Sequence, residues 1–225
     1  MITTAPELIY MLKVNIGIAL FYAFYKLFCC RDTFFQWRRI TLLSFLALSF
    51  LYPLMDMQAW VKEQPAINEL ADYYALMMLT ETNTSTATVV TVPVAIPTPD
   101  LLDIIKFVYW IGILLLSARF MIQLSSIFRL VLKSKNINVD QISIRSLSEP
   151  ANPFSFWQWI FIYLPGLKED EKQEILTHEQ THVRQWHSID VIISEIVNII
   201  CWMNPFAWLL KTEIRLNLEY LADHK

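Results

Sequence analysis

Residues 175–184 read Ile-Leu-Thr-His-Glu-Gln-Thr-His-Val-Arg and contain the pattern H-E-x-x-H within a run of helical character. Residues four apart share one helix face, with Cβ atoms about 5–6 Å apart. His178 and His182 can therefore each set one imidazole nitrogen on a single Zn²⁺. Glu179 sits about 100° round the helix from His178, within reach of a metal-bound water but off the ligand face. The chemistry requires these residue types. Neutral imidazoles leave the ion's charge uncancelled, the ion lowers the pKa of its water to about 7, and the adjacent carboxylate takes the proton. With four histidines in 225 residues, chance would produce the pattern in roughly half a percent of such chains.

The helix supplies two ligands, and a third must come from elsewhere. A metzincin would carry Gly three residues after the second histidine and His six after it. Gln185 and Ser188 stand there, so that subclass is excluded. His187 lies about 500° round a continued helix from His182, some 140° off the ligand face, and is not expected to close the site. The candidate is further on. Ser188 suits an N-cap for a helix over 189–203, and Asn204-Pro205 breaks it. A second arm over 205–219 is of equal length, about 22 Å. The pair returns Glu219 to the level of His178 and His182, completing a two-histidine, one-glutamate shell. Asp223, one turn beyond Glu219, can accept a hydrogen bond from a ligand histidine.

H-E-x-x-H at 178–182, Trp202-Met203-Asn204-Pro205 and Glu219-Tyr220-Leu221-Ala222-Asp223 together resemble the BlaR/MecR-type membrane metallopeptidases. These are bacterial sensor-transducers that cleave or inactivate a transcriptional repressor. The likeness extends upstream through Asn152-Pro153-Phe154-Ser155-Phe156 and Ile162-Tyr163-Leu164-Pro165. It implies a gluzincin-type enzyme with His178, His182 and Glu219 as zinc ligands and Glu179 as general base. It also implies an antirepressor role in signal transduction, with a repressor, the enzyme itself, or both as protein substrate. The family commonly has Gly near Gln158, and commonly continues to a further span and an extracytoplasmic sensor domain, whereas this sequence stops at Lys225.

The elements that must position these residues are apolar ones. The chain is 55% hydrophobic and 14% aromatic with three glycines, too apolar for an ordinary soluble domain. A net charge of −3 gives no sign of direct nucleic-acid binding. Three cysteines, two adjacent, make no disulfide framework and read as reduced packing residues. Spans are expected over 8–28, 40–60 and 101–119, the last continuing as a helix to Leu132. Lys26, Arg31, Arg38 and Arg39 follow the first span, and Arg119, Arg129, Lys133, Lys135 and Arg145 follow the third. By the positive-inside rule the N-terminus lies outside a bacterial inner membrane and the active site faces the cytoplasm. No cleavable signal peptide is expected, because the first apolar run is long enough to span. The loop 61–100 is extracytoplasmic, with an amphipathic stretch over 66–79 and an extended connector over 80–99.

The fold expected is mainly α: a multi-pass helical bundle over 1–132, then a cytoplasm-facing zincin-like α+β metallopeptidase region over 133–225. Its parts are strands within 141–164, a motif helix over 168–187 and a helical hairpin over 189–225. The run 189–210 is apolar enough to score as a fourth span, but a crossing there would separate Glu219 from the histidines, and Glu195, Asn198 and Asn204 favour a hairpin. The partners expected are the lipid bilayer, a protein substrate and, if the chain self-associates, a second copy in a homodimer. Tyr220 and His187 are the candidates for stabilising an oxyanion. Two alternatives stand beside this reading. One is a housekeeping membrane protease, similar to the CAAX-prenyl or heat-shock quality-control metallopeptidases. The other is a non-catalytic transducer, against which the intact Glu179 argues.

Overall fold

The computed structural model describes residues 6–30, 33–55, 101–139 and 142–224. The loop expected over 61–100 and the end of the second expected span lie outside these residues. The chain is mainly helical with one small sheet. Helix α1 (Pro6–Phe24) ends in a wider π turn over Tyr25–Cys29, and α2 (Phe35–Leu51) follows. Helix α3 (Leu101–Lys133) is continuous over 33 residues, about 50 Å at 1.5 Å per residue. Among the described residues two helical stretches are long and apolar enough to cross a membrane, Glu7–Cys29 and Leu101–Lys133.

At the second expected span the described helix starts at Phe35, five residues before 40, and runs as α-helix to Leu51. Arg38 and Arg39 belong to the helix instead of the preceding loop because buried acceptors await them. Arg38 is buried against the Tyr25 hydroxyl and lies 3.6 Å from Glu213. Arg39 Nε pairs with Asp190 Oδ2 at 2.6 Å. A guanidinium with a carboxylate in place can enter the packed bundle that an unpaired charge could not.

Four strands follow α3: β1 (Lys135–Val139), β2 (Ile142–Ser146), β3 (Phe154–Phe156) and β4 (Trp159–Ile162), in the order β1-β2-β4-β3. Strand β1 was not foreseen, as Lys135-Asn136-Ile137-Asn138-Val139 looks like a polar linker until it pairs antiparallel with β2. β4 pairs parallel with β2 and antiparallel with β3, and Ile160, Phe161 and Ile162 are all buried. Three consecutive buried side chains mean that both faces of β4 are covered, as expected of an internal strand with a parallel neighbour. β3 is left at the edge.

Three helices complete the chain: α4 (Glu169–Arg184), α5 (His187–Ile200) and α6 (Pro205–Asp223). The motif helix therefore stops three residues short of the expected 187. Trp186 adopts φ 57° and turns the chain, so α5 opens at His187 and Ser188 is not its cap. The Ser188 hydroxyl instead accepts the Trp157 N–H at 2.8 Å. The main core is where α1, α2 and α6 meet, around Val14, Ile18, Leu42, Leu210, Ile214 and Leu218. The α5–α6 turn is seated among the two long apolar helices. Asn204 Nδ2 donates to the Asn15 carbonyl of α1 (3.0 Å), and Trp202 Nε1 to the Tyr109 carbonyl of α3 (3.3 Å).

Candidate metal centre

Helix α4 opens on Glu169, Asp170 and Glu171, acids that offset the positive end of the helix dipole, and Glu171 accepts the Lys168 N–H. Two turns on, His178 and His182 lie on the face turned to α6. Helix α6 is started by Pro205 and by Asn204, whose Oδ1 accepts the Phe206 N–H at 3.0 Å. It runs without a break to bring Glu219 and Asp223 beside α4. The first arm of the hairpin is 14 residues, and the second runs 19 residues to Asp223, passing Glu219 one turn before its end.

The sequence candidates converge. His178 Nε2 and His182 Nε2 are 3.2 Å apart, and Glu219 Oε2 lies 3.5 Å from the first and 3.6 Å from the second. These three are the group of histidine, cysteine or acidic residues among the described residues that could hold a metal ion. Asp223 Oδ1 lies 3.0 Å from His178 Nδ1. A carboxylate only accepts, so His178 carries its proton on Nδ1 and turns the Nε2 lone pair inward. The donor set fits zinc. A tetrahedral site with bonds of about 2.0–2.1 Å has edges of about 3.3–3.4 Å, the size of this triangle.

Glu179 is 7% exposed, forms no hydrogen bond among the described residues, and lines the same cavity as the three candidate ligands. That cavity, about 310 Å³, is also bordered by Phe154, Ser155 and Phe156 of the edge strand β3, and by His187 and Arg215.

Two expectations about this site change. Tyr220 does not face the cavity; its ring stacks on Phe35 of α2 at 5.3 Å. His187 does reach the cluster, because the chain turns at Trp186 and the helical-wheel angle counted from His182 no longer applies. Its Nδ1 is 2.8 Å from His182 Nδ1 and its Nε2 is 3.1 Å from Gln185 Oε1, so neither nitrogen is free for an oxyanion. Burial, with the His182 ring beside it, pushes His187 down to about 3, which keeps it neutral. Arg215, one turn before Glu219 on the cavity wall, was not singled out from the sequence; an i, i+4 spacing from a ligand was the available signal.

A sequence family described as BlaR1 peptidase M56 matches residues 14–225. The chain belongs to this family. No curated protein matches it. Membership of the M56 peptidases makes the chain a member of a metallopeptidase family, and with the two long apolar helices it indicates membrane association. The matched range takes in α1 from Val14 onward, α2, α3, the sheet and the whole α4–α6 unit.

Proposed function

We propose that the protein is a zinc-dependent endopeptidase of the bacterial inner membrane, the catalytic part of a sensor-transducer that cleaves a cytoplasmic repressor, itself, or both. The triangle of His178 Nε2, His182 Nε2 and Glu219 Oε2, with edges of 3.2, 3.5 and 3.6 Å, carries this reading. Zinc, when bound, supplies Lewis acidity to the scissile carbonyl and to water. The rest of the chemistry falls to the chain. Glu179 takes a proton from the attacking water at its carboxylate and returns it to the leaving amine. The cavity wall around it keeps that carboxylate shielded from bulk solvent. Among the described residues strand β3 has no partner on its outer edge along the same cavity, where an extended peptide can add as a further strand and be held by its main chain.

Orientation follows from charge. The candidate site sits at the end of the bundle that carries Lys26, Arg38 and Arg39, and basic residues mark the cytoplasmic side. The α5–α6 unit dips between the apolar helices and returns, which leaves His178 and Glu219 on one face of the membrane. Helix α5, 14 residues long, is about 21 Å and too short to cross a hydrocarbon core of about 30 Å.

The test is metal content and cleavage measured on the same detergent-purified protein. Wild type should hold about one zinc per chain, and His182→Ala and Glu219→Ala should lose it. Glu179→Gln should keep the zinc and abolish cleavage of a repressor substrate and of the chain itself. Cleavage that persists in Glu179→Gln would sink the enzymatic assignment.

A further inference from the structure

His187 is 2% exposed. Its ring stands edge-on to that of His182, with centroids 4.8 Å apart and planes at 80°. The hydrogen bonds run in one direction. Gln185 Oε1 can only accept, and it lies 3.1 Å from His187 Nε2 and 3.3 Å from Gln36 Nε2 of α2. His187 must therefore carry its single proton on Nε2, and its Nδ1 presents a lone pair. That lone pair is 2.8 Å from His182 Nδ1, so His182 is the donor. A neutral His182 with its proton on Nδ1 has its Nε2 lone pair facing His178 and Glu219.

We propose that His187 is a positioning residue of the metal centre, accepting the Nδ1–H of His182 and so fixing that ring's tautomer and orientation. His187 then does for His182 what Asp223 does for His178. The anchor of the relay lies in α2. Arg39 donates to the Gln185 carbonyl at 2.8 Å while pairing with Asp190, one turn beyond His187. Gln36 holds the Gln185 side chain. The turn at Gln185–Trp186 is thus clasped between α2 and α5, with Trp157 of the sheet packed on Trp186 from the far side (centroids 5.1 Å, 82°). The backbone conformation of Trp186, φ 57°, is uncommon for a bulky residue, and here it is what delivers His187 to His182 across a helix break. Orientation of one ligand is set through α2, a helix that contributes no ligand.

The inference rests on the metal-centre reading above, and its experiment separates the two. Zinc affinity is measured by chelator competition, and the cobalt(II) form by its visible absorption, on full-length protein in detergent. His187→Phe, which keeps the ring volume and removes the acceptor, should bind zinc about 10- to 100-fold more weakly and shift the cobalt bands. His187→Asn places Oδ1 where Nδ1 stood and should recover most of the affinity. Gln185→Leu leaves His187 in place and should show a smaller loss in the same direction. Wild-type affinity and an unchanged cobalt spectrum in His187→Phe, with metal lost in His182→Ala, would overturn the positioning role and leave the site standing. So would an Asn variant no better than Phe. Should the Phe variant fail to fold, an unaltered Gln185→Leu overturns the relay. Wild type that binds no metal overturns both readings.

Discussion

Helices α3 and α5 are both strongly apolar in sequence, yet they relate to the rest of the molecule in opposite ways. Helix α3 has no buried residue along its 33 positions. Helix α5 buries His187, Asp190, Ser194, Asn198 and Ile199, and leaves Ile189, Ile193 and Ile196 exposed. Its inward face is mostly polar and its outward face apolar, the reverse of a helix in a water-soluble domain. Summed hydropathy cannot tell these two apart; the direction in which the polar groups point does. One helix leaves most of its apolar surface uncovered among the described residues. The other turns apolar groups outward and uses its polar groups to grip α2 and the candidate metal centre.

The comparison would break first at Asp190. Asp190→Ala leaves Arg39 without its carboxylate inside the bundle, and removal of one member of a buried pair costs about 3–5 kcal/mol. The Asp190 side chain is 4% exposed and that of Arg39 19%, so the lower end of the range is expected. Thermal unfolding in detergent should show a large fall in midpoint together with weaker zinc retention. An unchanged midpoint would mean that the polar face of α5 does not hold the bundle. Asp223→Asn is milder, because Asp223 is an exposed helix-end residue that acts on one ligand alone. It should weaken zinc binding about tenfold and leave the unfolding midpoint of the metal-free protein where it was.

A third test touches a close approach between α3 and the hairpin turn. A Cβ on Gly112 would meet the Trp202 indole at 2.3 Å, so the absence of a side chain is what lets the hairpin turn pack on α3. Gly112→Val should cost about 1–3 kcal/mol as an overpacking change. It should also shift the Trp202 fluorescence, while zinc affinity stays within twofold because the ligands lie at the other end of α5 and α6. A loss of zinc would show that the turn and the ligands move as one rigid piece.

The legible parts of the sequence were those with short range. H-E-x-x-H placed two candidate ligands by helical spacing alone, and Asn204-Pro205 marked the hairpin turn. Glu219 followed from the need to return. What was not legible came from tertiary partners. Arg38 and Arg39 look like loop residues until Tyr25, Glu213 and Asp190 are in place. Lys135–Val139 looks like a linker until β2 pairs with it. The break at Trp186 has neither Gly nor Pro to announce it, so counting angles round an unbroken helix put His187 on the wrong side. A left-handed tryptophan is stabilised by what packs on it, here Trp157, and no local signal carries that.

The smallest expected effect lies on the outward surface of α3. Leu114 and Leu115 are 68% and 64% exposed and touch nothing that positions the candidate site. Leu114→Ala removes apolar area that faces detergent or lipid in the folded and the unfolded inserted chain alike, so almost no transfer energy is at stake. A change within about 0.5 kcal/mol is expected, with zinc content and cleavage unaltered. On α5 the outward Ile193, 41% exposed, should be equally tolerant when changed to Leu and less so when changed to Asp, since a charge in lipid costs about 2.5–3.5 kcal/mol on insertion scales. If Ile193→Asp were as harmless as Leu114→Ala, the outward face of α5 would be facing water. The contrast between the two helices would then reduce to burial alone.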